Sequence, residues 1–156
     1  MRMLTLLLLV SILFFGCVSD TTDSTEKREY PMTVYQGSPV NDHAGDSVRV
    51  EVYHFHGTHQ CSSCIAVGEL AEKTVNTYFK DELKSGKLVF GHINGELPEN
   101  KGLVEKYGVT SSSLWIGTYA NGEFHREQNV NVWYKINNEE EYMAYLKGVI
   151  EDKLAG

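Results

Sequence analysis

The sequence predicts one α/β domain, a three-layer sandwich in which a mixed four-stranded sheet carries helices on both faces. Three observations carry that prediction. Strand-like and helix-like periodicities alternate from Ser47 to Leu154 in the order β-α-β-α-β-β-α. The first two strand patterns are separated by a long helical pattern, the layout of a βαβ crossover. Asn121-Gly122 lies between the last two strand patterns, the strongest short hairpin signal. With 42% hydrophobic and 22% charged residues, the 156-residue chain has the balance of one globular domain plus short appendages. That balance excludes collagen, coiled coil and wholesale disorder.

Each element has its own local reason. Ser47 to His56, SVRVEVYHFH, places Val48, Val50, Val52 and His54 on one face and Arg49, Glu51, Tyr53 and Phe55 on the other, the period of a strand. Gly57 to Gln60 breaks it. From Ser62, apolar residues recur at helical spacing through Val67, Leu70, Ala71, Val75, Tyr78 and Phe79, and Ser85-Gly86 ends the helical region. Lys87 to Ile93, KLVFGHI, is a second strand. Leu103, Val104 and Tyr107 mark a short helix closed by Gly108, where a left-handed cap needs a residue without Cβ. Ser113 to Tyr119 is the third strand and Glu123 to Val130 the fourth. Glu139 to Leu154 is a closing helix with Tyr142, Tyr145, Leu146, Val149 and Ile150 inward, and the acidic Asn138–Tyr142 run suits its dipole.

The first 46 residues read differently. Met1 to Gly16, MRMLTLLLLVSILFFG, is one Arg followed by a short apolar core. A spanning helix needs about 20 apolar residues, so the run fits a secretory signal better than a permanent anchor. It ends in Gly16-Cys17, which resembles the lipobox of prokaryotic lipoproteins, although Phe15 is bulkier than the small residue usual there. The resemblance implies lipidation of Cys17, and a domain delivered outside the cytoplasm on a membrane anchor; an unlipidated Cys17 leaves it secreted. Residues 17–46 are rich in Ser, Thr, Asp and Gly with no sustained apolar period, the composition of a flexible tether. Residues 47–156 form the domain.

The chain carries a net charge of −7 with no basic cluster, which argues against a nucleic-acid surface. No Gly-rich phosphate loop and no flavin or nicotinamide fingerprint occurs, so no organic cofactor is expected.

Cys61-Ser62-Ser63-Cys64 carries the chemistry. It lies between the first strand and the first helix, where a C-x-x-C reads as a redox pair. A thiol at a helix N-terminus faces unpaired N–H groups and the positive end of the dipole. Its pKa can fall from about 8.5 into the range of roughly 3.5–7.5. Cys64, one turn further in, is expected to be more buried and less acidic. The pair thus divides into an attacking thiolate and a resolving thiol.

With that placement, Ser47 to Leu154 resembles a thioredoxin-fold domain. More narrowly, HFHGTHQCSSC is similar to a small thioredoxin-like family with His, Thr and C-x-x-C in this order, some of whose members are labelled a nitrophenyl-compound nitroreductase subunit. The resemblance implies attack by Cys61, resolution by Cys64, and thiol or disulfide proteins as partners, with a membrane redox protein setting the resting state. Two departures from thioredoxin matter. Its cis-proline has no proline counterpart in YGVTSSSLWIG. A non-proline cis bond costs about 2.5–4 kcal/mol, so the peptide before Ser113 is expected to be trans. Ser111, Ser112 and Ser113 would then face the sulfurs, with Thr58 fixing the Cys61 loop. Thioredoxins also bury a carboxylate beneath the dithiol, and the counterpart here is His54, an imidazole that titrates near neutrality.

His54, His56 and His59 precede Cys61 closely, and His54 and His56 share a strand face. With Cys61 and Cys64 they make a donor set suited to Zn²⁺ or Cu(I), so metal binding or delivery stays open as a second function. A third is a binding domain with a structural disulfide. Under the redox reading, His54 or His56 moves the proton. Glu69 reads as a base acting through water or as a solvated charge, Trp115 as core or partner contact. His43, His92 and His125 receive no role.

Overall fold

The computed structural model describes residues 48–156. The signal, Cys17 and the tether lie outside the described residues. The domain is an α/β sandwich of the thioredoxin-like kind, with strand β1 (Arg49–His56), helices α1 (Ser62–Tyr78) and α2 (Lys80–Ser85), strand β2 (Leu88–Asn94), helix α3 (Lys101–Tyr107), strands β3 (Ser113–Ala120) and β4 (Glu123–Gln128), and helix α4 (Glu139–Ala155). The sheet order is β2-β1-β3-β4. β1 pairs parallel with β2 through the crossover and antiparallel with β3, and β3 pairs antiparallel with β4.

Alternation along β1 divides the interior in two. Val50 and Val52 join Leu88 and Phe90 of β2 on one face, covered by Val67, Ala71 and Val75 of α1 and by Tyr142, Leu146 and Ile150 of α4. Tyr53 and Phe55 point the other way, against Val89, Ile93 and Tyr107 at the end of α3. Tyr142 Oη donates to the Val67 carbonyl at 2.7 Å and ties α4 to α1. Asn121 and Gly122 both have positive φ, 54° and 77°, as a primed hairpin turn requires. Gly108 caps α3 in the left-handed region.

Three details differ from the sequence expectation. The long helical pattern is two helices, because Phe79 leaves helical geometry and turns into the core while Tyr78 stays 46% exposed. β4 stops at Gln128: the Asn129 amide donates to the Leu114 carbonyl, and Val130–Tyr134 forms a 3₁₀ turn that buries Val132. On α4, Met143 is buried alongside Tyr142, Leu146 and Ile150, whereas Tyr145 and Val149 are only partly covered.

Candidate dithiol site

β1 ends at His56, five residues carry the chain off the sheet, and α1 starts at Ser62. Cys61 is therefore the N-cap, with extended backbone, and its Sγ accepts a hydrogen bond from the Cys64 amide at 3.2 Å. It forms a disulfide with Cys64 across a Cα–Cα distance of 5.1 Å. Cys61 is exposed and Cys64 half-buried. The first turn of α1 holds no carboxylate to oppose a thiolate at Cys61. A four-residue loop closes little chain, so the bond contributes little to stability through loop entropy.

Beneath α1 lies a cluster of three histidines. His54 is 1% exposed and its register partner on β2 is His92, 6% exposed. Their Nδ1 atoms are 3.1 Å apart. His92 Nε2 lies 3.4 Å from Glu72 Oε2 on α1. The His56 ring stacks on His54, with centroids 5.4 Å apart, and its Nδ1 donates to the Gly57 carbonyl. Contrary to the near-neutral titration expected of His54, burial pulls its pKa from 6.5 down to about 3, helped by His92 and His56; the Cys64 backbone carbonyl works weakly the other way. Burial also lowers the His92 pKa, against the opposing pull of Glu72 and, more weakly, Glu69.

The room for this cluster comes from Gly68, one turn along α1 from Cys64. A Cβ there would crowd His54 Nδ1 and sit 2.7 Å from His54 Cε1 and 2.9 Å from His92 Cε1. Cys64, Gly68 and Glu72 thus form one i, i+4, i+8 stripe laid over the histidine pair. Among the described residues, Arg49 Nε, His54 Nε2 and Gln60 Oε1 are buried side-chain atoms without a hydrogen-bond partner. Arg49 and Gln60 reach solvent through the rest of their side chains; His54 does not.

The other expected site residues assemble around a neighbouring cleft of about 360 Å³. His56, His59, Ser111, Ser112, Val104 and Glu96 line it, and the cysteines do not. Thr58 ties the loop after β1 to the loop after β2: its amide donates to Glu96 Oε2 and its hydroxyl accepts from Asn94 Nδ2. The Thr58 side chain first, and then its amide, hold the Glu96 carboxyl below its usual pKa. The described residues contain no cis peptide bond. Ser113 differs from its two neighbours: it is buried, donates to the Ser111 carbonyl and accepts from Trp115 Nε1, so its hydroxyl is turned inward. Trp115 packs edge-on against Tyr107 as part of the second core.

Sequence reasoning missed His92, Gly68 and Glu72. A histidine beside an otherwise apolar run in β2 was the available signal, but only strand register places it opposite His54. No group of three or more His, Cys, Asp or Glu among the described residues is arranged to hold a metal ion. No protein-family model matches the chain, and no match is found among curated proteins.

Proposed function

We propose that this protein is a membrane-tethered, extracytoplasmic thiol–disulfide oxidoreductase that exchanges electrons with partner proteins through Cys61 and Cys64. The observation that carries the reading is the Cys61–Cys64 disulfide at the N-terminus of α1, with its outer sulfur on an exposed residue and its inner one half-buried. In the reducing direction, the Cys61 thiolate attacks a partner disulfide and one partner thiolate leaves. Cys64 then loses its proton and attacks Cys61 Sγ. The Cys61–Cys64 bond forms, the mixed disulfide breaks, and the second partner thiolate leaves; two electrons have passed to the partner. Oxidation runs the same steps backwards. The cleft flanked by His56, Ser111 and Ser112 is the surface for the partner segment around the reacting sulfur.

Support for the location comes from the signal-like Met1–Gly16 run and Cys17. The test is trapping. In a Cys17→Ser background, a Cys64→Ser chain, left with Cys61 alone, should accumulate mixed disulfides with partner proteins that dithiothreitol releases, and Cys61→Ser should accumulate none. Equal labelling of the two variants would reject the assignment.

A further inference from the structure

The hydrogen bonds beneath the dithiol form a directional chain, and its direction follows from the only member that cannot donate. An ionised Glu72 carboxylate accepts only, so the hydrogen of neutral His92 must lie on Nε2, facing it. His92 Nδ1 is then a bare acceptor, and the 3.1 Å contact requires the hydrogen of neutral His54 to lie on its own Nδ1. That leaves His54 Nε2 as a lone pair, buried and without a hydrogen-bond partner. The opposite tautomer would reverse the roles of the two Nδ1 atoms, and the chain from Glu72 selects against it; the Cys64 backbone is also a group acting on the His54 ring.

We propose that His92 and Glu72 are positioning residues for disulfide exchange, holding His54 in the tautomer whose bare Nε2 accepts the Cys64 proton. The inference rests on the redox reading above. When Cys64 attacks, its S–H proton passes to His54 Nε2, directly or through one water, and its sulfur electron pair forms the bond to Cys61. Burial disfavours the imidazolium, with a pKa of about 3, so His54 holds the proton only in passing and the charge is relieved along the same bonds. The Nδ1 proton moves to His92 Nδ1, the His92 Nε2 proton moves to Glu72, and Glu72, with its side chain 30% exposed, releases it to water. Resetting the tautomers returns the chain to its starting state. The groups facing this path are His56 on β1, His92 on β2, and Cys64, Glu69 and Glu72 on α1. Gly68 is what lets α1 settle onto both rings.

The test separates the two sulfur steps. The reduced full chain, with Cys17→Ser so that only the dithiol reports, is mixed with one equivalent of dithiobis(nitrobenzoate). The first thionitrobenzoate released reports Cys61 attack and the second reports closure by Cys64. Replacing the base in His54→Gln should slow closure relative to attack by about a hundredfold, the lower end for loss of a general base. His92→Leu leaves His54 Nδ1–H without an acceptor and should slow closure by at least about tenfold on the same scale. His92→Asn restores an acceptor oxygen near the Nδ1 position and should recover most of that loss, which a merely space-filling role would not. Glu72→Gln, at a partly exposed position where folding is not in question, should slow closure and change its pH profile. Closure rates and profiles unchanged in both Glu72→Gln and His92→Leu, with attack intact, would overturn the relay and leave the redox reading standing. A wild-type chain with no first phase would overturn the redox reading and the relay together.

Discussion

Two buried polar clusters sit back to back on β1, three residues apart and on opposite faces of the sheet. Glu51 faces α3, where its carboxylate accepts from Tyr107 Oη at 2.7 Å and pairs with Lys106 at 2.9 Å and Arg49 at 3.0 Å. Lys106 in turn bonds the Tyr119 hydroxyl. His54 faces α1, where one nitrogen is bonded and the other is not. Each cluster has a glycine that makes room for it. A Cβ on Gly117 of β3 would strike Tyr107 Oη and come within 2.8 Å of Phe124 Cε2, much as one on Gly68 would strike the histidines. A carboxylate with every partner present holds the fold together; an imidazole with a bare atom, under the helix that carries the dithiol, is the group the proposed relay uses. The same strand thus carries a fully paired polar site on one face and one with an unpaired atom on the other.

The comparison can be broken from either side. The largest effect is expected at Glu51. Glu51→Ala strands Lys106, Arg49 and the Tyr107 hydroxyl, and should cost about 3–5 kcal/mol in urea unfolding, as for removing one partner of a buried ion pair. Disulfide exchange per folded molecule should be unchanged. The two glycines come next. Gly117→Ala and Gly68→Ala should each destabilise by roughly 1–3 kcal/mol through overpacking. Only Gly68→Ala should also slow the closing step of exchange, because it displaces the histidine pair. Matching exchange rates in the two alanine variants would show that the clusters do not differ as described.

The smallest effect concerns pH. His54 has a pKa of about 3 in the folded state against 6.5 when unfolded, so between those values the unfolded chain binds the extra proton. Stability is full above about pH 6.5 and falls as pH drops toward 3, at up to about 1.4 kcal/mol per pH unit from this one group. His92, lowered in the same sense, adds to the slope. Urea midpoints followed from pH 7 to pH 4 should show this, and His54→Leu should flatten the curve; an equally steep curve in that variant would assign the acid sensitivity elsewhere.

Much of the fold was legible because its signals are local. The alternation in SVRVEVYHFH, the Asn121-Gly122 turn and the Gly108 cap each constrain the backbone of their own residues, and the strand, the turn and the cap all formed there. The Cys61–Cys64 pair was legible for the same reason, being defined by four consecutive residues and the elements around them. What the sequence hid was set by register and packing. His92 acquires its partner only when β2 lies parallel to β1, and Gly68 is an ordinary helix glycine until two rings lie under it. Sequence points to Glu69, and packing adds Glu72, one turn along α1 from Gly68, which bonds His92. Ser113 reads alike with Ser111 and Ser112 in sequence, and its burial and its bonds to the Ser111 carbonyl and the Trp115 indole turn it inward.

The central claim is that Cys61 and Cys64 form a reversible redox couple, and titrating the full chain in glutathione buffers tests it most directly. The account predicts one reversible two-electron transition, with a Cys61 thiol that is alkylated as a thiolate well below pH 8.5 and a midpoint unmoved by Zn²⁺ or Cu(I). Thiols that stay reduced across the glutathione range, and become unreactive only when one equivalent of metal is added, would contradict it.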